Sequence, residues 1–122
     1  MLEEIRLAAL LAKVDTLNSL AIPAAQALNM GTYFGARALG LKKVGKLDED
    51  YKADIVLWDM SGVEWQPNYN PASLLVYSAN SAAADTVIDD GKILMQNREL
   101  KTLDEDKIRA EFTACANRLT GN

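Results

Sequence analysis

The stretch VGKLDEDYKADIVLWD, residues 44–59, is where the chain changes character. Its Gly45 and the acidic turn Asp48-Glu49-Asp50 lead into Ile55-Val56-Leu57-Trp58, a run mostly of β-branched and aromatic residues suited to a pleated, half-buried surface. A short strand is expected near Val44 and a stronger one over residues 54–59. The sequence ahead of this stretch has helical spacing, whereas the sequence after it mixes short apolar runs with turn residues. The fold class predicted is therefore α+β, with helices first and a small β-sheet second.

Upstream, residues 2–17 (LEEIRLAALLAKVDTL) contain neither Gly nor Pro, and Glu3 and Glu4 stand favourably at the positive end of a helix dipole. Leu2, Ile5, Ala9 and Ala12 make one apolar stripe, but Leu7, Leu10, Leu11, Val14 and Leu17 spread apolar surface over much of the circumference. An isolated small domain gives such a helix a solvated face. A larger body or a partner is therefore expected to cover the second side, and the chain reads as a piece of something bigger. Pro23 suits the first turn of a second helix, which is expected to weaken at Gly31. Thr32 can cap a third short helix through Leu39, and Gly40 can stop it in the left-handed conformation.

Downstream, residues 61–70 read as an exposed excursion, after which Asn70 offers a cap and Pro71 a first helical residue. Thr86-Val87-Ile88 and Lys92-Ile93-Leu94-Met95 flank Asp89-Asp90-Gly91, whose Asp-Gly pair predicts a tight hairpin. Thr102 and Glu105 have capping-box spacing for a last helix that runs to about Leu119 and stops at Gly121. Ile108, Phe112, Cys115 and Leu119 recur at helical spacing, so this helix is expected to pack on one side, with Cys115 a small core residue.

Composition narrows the chemistry. The chain has no histidine, which removes imidazole from any metal set, general base or nucleophile-base pair that it could form alone. A net charge of −4 gives no long-range attraction to nucleic acid or anionic lipid. The single cysteine excludes an internal disulfide and agrees with a reducing compartment. No apolar run is long enough for a membrane span, and the opening residues lack the pattern of a signal peptide, so a cytoplasmic protein is expected.

The remaining candidates each have a plain reading. Asp48, Glu49, Asp50 and Asp54 could hold a hard cation, but they lack the calcium-loop pattern and read as a solvated turn, with Asp54 fixing the strand entrance. Asp89 and Asp90 read as turn residues. Trp58, Trp65, Tyr69 and Tyr77 could line a ligand or nucleobase pocket, yet strand and helix packing explains them. Lys42, Lys43 and Lys46 are followed at once by acids, which breaks up any nucleic-acid patch. No catalytic, cofactor-binding or metal residue is assigned.

The ordered segments LEEIRLAALL, PAAQALNMGTYFGARALGL and VGKLDEDYKADIVLWD, followed by Tyr69-Asn70-Pro71-Ala72, Leu75-Val76-Tyr77-Ser78-Ala79-Asn80, Asp85 to Lys92 and Leu103-Asp104-Glu105, resemble the C-terminal region of metal-dependent amidohydrolases of the deaminase and chlorohydrolase group. Within that group the chain looks most like the methylthioadenosine and S-adenosylhomocysteine deaminases. It departs at Asp50, where the family usually has Gly, which implies an altered turn.

The resemblance implies that residues 1–41 are a helical remnant of the end of a (β/α)8 barrel, and residues 42–122 part of a composite β-sandwich with a C-terminal helix. It implies zinc or iron in a full-length relative, with the metal ligands and catalytic acids in earlier sequence. No cofactor is expected here, since Asp15, Asp54 and Asp59 match no catalytic motif of the family. The chain then reads as the C-terminal fragment of a deaminase-like hydrolase acting on carbon–nitrogen bonds, inactive alone. Its expected partner is the missing barrel portion or a second copy in a homodimer, with no nucleic acid and no membrane. The alternatives are a stand-alone structural or oligomerisation protein derived from such an enzyme, and a small-ligand module using Trp65 and Tyr69.

Overall fold

The computed structural model describes residues 1–121. In chain order the elements are α1 (Leu2–Asp15), α2 (Ala24–Asn29), α3 (Gly35–Ala38), β1 (Ile55–Trp58), α4 (Pro71–Tyr77), β2 (Ala84–Asp89), β3 (Lys92–Gln96), β4 (Glu99–Leu100) and α5 (Glu105–Thr120). This is the α+β arrangement anticipated, with helices first and a small sheet second.

The helical layer closes on small side chains. Ile5 and Ala9 of α1 are buried with Ala24 and Ala27 of α2 and Val76 of α4. Alanines let the backbones come close, so few large groups are needed to seal the contact. Arg6 adds a polar clamp: its Nε donates to Val76 O at 2.8 Å and its Nη2 to Ala79 O, satisfying carbonyls at the end of α4.

Three expectations for this layer need correction. Pro23 is the cap of α2 rather than its first helical residue. The helix also does not weaken at Gly31: α2 passes through a wide π turn, Met30–Phe34, directly into α3. Gly31 is there for close approach, since a Cβ on it would lie 2.3 Å from Ile5 Cδ1. Thr32 caps nothing, because its hydroxyl donates back to Leu28 O at 2.9 Å. Gly40, at φ +72°, ends α3 as anticipated.

The four strands lie in the order β1-β2-β3-β4, every neighbouring pair antiparallel. Ile55 faces Ile88 and Val56 faces Val87. The β2–β3 turn has Asp90 at φ +47° and Gly91 at φ +81°, the pair of positive angles that a two-residue hairpin matching strand twist requires. The start of β1 grips this turn, with Asp54 Oδ1 accepting from Asp90 N at 2.7 Å and Ala53 O from Gly91 N at 3.0 Å.

No strand forms at Val44. That segment lies instead against the π turn, with Gly45 so close that a Cβ would come within 2.7 Å of Thr32 O. At residue 50, Asp50 sits at φ +61°, the left-handed backbone that a glycine would favour.

A second core links the layers. Trp65, Ala79 and Ala83 are buried together, with Leu2, Trp58, Met60, Leu74 and Leu75 packed around them. Asn70 caps α4 by accepting from Ser73 N at 3.0 Å, with Pro71 as its first residue.

The last helix differs from expectation twice. Its cap is Asp104, which accepts from Lys107 N at 2.9 Å, because the helix starts at Glu105 and leaves Thr102 outside. Its apolar stripe is uncovered: Ile108, Phe112 and Leu119 are exposed, and Cys115 is exposed rather than core. Helical spacing identified the apolar face, but nothing among the described residues supplies the surface that would bury it.

Candidate functional site

The largest functional feature is an uncovered face rather than a catalytic cluster. On α1 the cations are drawn aside: Arg6 reaches the end of α4, and Lys13 Nζ donates to Ala21 O and Ile22 O. Leu7, Leu10, Leu11 and Val14 are left pointing outward, Leu11 at 56% and Val14 at 71% exposure. These are residues whose second-side burial the sequence called for.

The scale of the exposure is measurable. The chain presents 9020 Å² of accessible surface, against about 6,500 Å² for a self-contained protein of its mass. The excess of about 2,500 Å² is what one side of a large obligate interface buries.

The carboxylates singled out in the sequence are dispersed. Asp48 pairs with Lys46 at 2.5 Å and accepts from Glu49 N, which holds its carboxyl below the usual aspartate value, while Asp54 and Asp90 serve the hairpin turn. Asp59 accepts from Ser61 N at 3.0 Å and pairs with Arg98 at 2.7 Å. Among the described residues, no three His, Cys, Asp or Glu side chains gather to hold a metal.

Of the aromatic candidates, Trp58 and Trp65 meet with ring centres 6.5 Å apart, but Trp65 is only 1% exposed and belongs to the core. Tyr69 stands in solvent at 91% exposure and Tyr77 packs on the helical core, so Trp65 and Tyr69 do not form a joint pocket. Lys42 and Lys43 line a cavity with Tyr33, Arg37 and Tyr51. Sequence reading missed Arg6, Tyr33 and Arg37. The available signal for Arg6 was a cation set between Ile5 and Leu7 in the apolar stretch of the first helix.

Residues 1–94 match the sequence pattern of the amidohydrolase family. The chain belongs to that family. The amidohydrolase chain is 48% identical over 111 residues to the 5-methylthioadenosine/S-adenosylhomocysteine deaminase of Carboxydothermus hydrogenoformans, a match covering 91% of this chain and 26% of that protein. It superposes on a zinc-bound adenosine deaminase of Xanthomonas campestris with a TM-score of 0.92 and 33% identity, over all of this chain and 28% of the other. Against an atrazine chlorohydrolase of Arthrobacter aurescens, complexed with zinc, the TM-score is 0.84 at 32% identity, covering 93% and 26%. The amidohydrolase chain thus spans about a quarter of the length of the curated relatives it matches, and corresponds to their C-terminal region.

These solved relatives hold zinc, but the residues of this chain do not fit a zinc site. Histidine is absent, and the one thiol, Cys115 on α5, joins no group of three or more potential metal-binding side chains among the described residues.

Proposed function

We propose that this chain is the C-terminal segment of a deaminase-like amidohydrolase acting on carbon–nitrogen bonds, and that its contribution is scaffold rather than catalytic groups. In this reading residues 1–41 complete the end of a barrel, and residues 42–122 supply part of the small β-domain and the last helix. The zinc and the groups that act on substrate belong to the portion outside the chain, and the chain alone is inactive. The observation that carries the proposal is the outward apolar face of α1 together with the surface excess of about 2,500 Å², which calls for a large covering body.

A second copy of the chain is the competing cover. A two-fold contact buries one patch per copy. Uncovered apolar side chains lie on several faces, among them α1, the segment around Phe34, Leu39, Leu41 and Leu47, and α5, which favours a larger body over a single two-fold patch.

The test is complementation. The chain is mixed with the separately produced remainder of the Carboxydothermus relative, and co-elution and ammonia release from 5-methylthioadenosine are measured. Expected are a one-to-one complex and zinc-dependent ammonia release that neither part gives alone. A folded remainder that never associates with the chain would sink the proposal, and light scattering that showed a stable homodimer would favour the competing cover.

A further inference from the structure

In a chain of net charge −4, residues 37–46 carry Arg37, Lys42, Lys43 and Lys46 and no carboxylate. The fold gathers three of these cations, Arg37, Lys42 and Lys43, at one cavity of about 460 Å³ lined also by Tyr33, Leu41 and Tyr51, with Lys46 outside the lining. Tyrosines hold two of the four. Arg37 Nη1 donates to Tyr33 Oη at 3.1 Å, with the guanidinium 5.6 Å from the ring centre. Lys46 Nζ stands 4.7 Å from the ring centre of Tyr51 and 5.8 Å from that of Tyr33. Only Lys46 has an acid partner, Asp48; Arg37, Lys42 and Lys43 form no ion pair among the described residues.

The wall is anchored rather than loose. Gly45 lies against the backbone of Thr32 and Tyr33, Lys52 N donates to Lys43 O at 2.8 Å, and Leu41 N donates to Ala36 O at 2.9 Å. Three cations without carboxylates around one concavity repel each other. A bound oxyanion would relieve that repulsion and accept charge-assisted hydrogen bonds from guanidinium and ammonium groups.

We propose that this cavity is an oxyanion site that takes a phosphate group, either free or carried on a small metabolite. The assignment rests on residues of this chain alone, and because Leu41 of the lining is one of the exposed apolar side chains that the fragment reading gives to a covering body, the site is proposed for the chain by itself. Charge is the recognition element, not ring stacking, because Lys46 and Arg37 already lie against the tyrosine rings.

The experiment is a titration of the isotope-labelled chain, followed by NMR at constant ionic strength, with inorganic phosphate, AMP and adenosine as probes. Expected are saturable shifts at the Arg37 side chain and the amides of residues 41–45 with phosphate and AMP, and none with adenosine. Saturation by AMP at tenfold lower concentration assigns a metabolite phosphate, and equal saturation assigns free phosphate. The exposed double substitution Arg37→Gln with Lys43→Gln is expected to raise the half-saturation concentration at least tenfold, while Lys107→Gln on α5 leaves it unchanged. Shifts that never saturate, saturation unchanged in the double variant, or equal binding of adenosine and AMP would each overturn the site.

Discussion

Arg6 ties the first helix to the fourth through two backbone carbonyls, on residues that are both fully buried. Arg6→Ala leaves those acceptors without their charged donor and is expected to cost about 2 kcal/mol, read as a lower urea midpoint at unchanged slope. At Asp50 the left-handed backbone carries a side chain that a glycine would not. Asp50→Gly is therefore expected to stabilise the chain by about 0.5 kcal/mol in the same measurement. Asp59 titrates in a known direction. Hydrogen bonds from Ser61, with Arg98 adding its charge, hold its carboxyl below the usual 3.8. A carboxyl with a lower pKa folded than unfolded stabilises the fold above its unfolded value, and that contribution is lost as pH falls through the folded one. Asp59→Asn should accordingly flatten the fall in thermal midpoint below about pH 4, a small effect because the pair is exposed.

Elements divide by what supports them. α4 has a side-chain cap at Asn70, a proline start and Val76 in the core, so its local and tertiary signals agree. α5 has the cap at Asp104 and the left-handed stop at Gly121, yet its apolar stripe has no cover. A helix of that length is marginal in water by itself. Asp104→Ala is therefore expected to lower the far-ultraviolet helix signal by fraying α5 while leaving the thermal midpoint of the rest unchanged. A matched fall in both would show that α5 is coupled to the core. The hairpin, the β1 strand, the cap at Asn70 and the stop at Gly40 were legible because each depends on neighbours in sequence. The π turn was not, because Gly31 answers to Ile5 on another helix, and the missing strand at Val44 was not, because Gly45 answers to Thr32.

For the whole molecule the decisive quantity is uncovered apolar surface. Leu10→Glu with Leu11→Glu on α1 is expected to leave the chain folded, since both side chains already face outward, and to abolish co-elution with the complementing portion. Unchanged co-elution would place the contact elsewhere. The sequence by itself determined the α+β order of elements, the surplus apolar face of α1 and the lack of imidazole, because these are properties of residue type and local spacing, while its ordered motifs carried the resemblance to the family. Only the tertiary structure decided that Trp65 is core, that α5 stands uncovered, and that Arg37, Lys42 and Lys43 share a cavity with Tyr33 and Tyr51. Those outcomes depend on which distant surfaces meet, and helical or strand periodicity identifies an apolar face without naming the surface that will cover it.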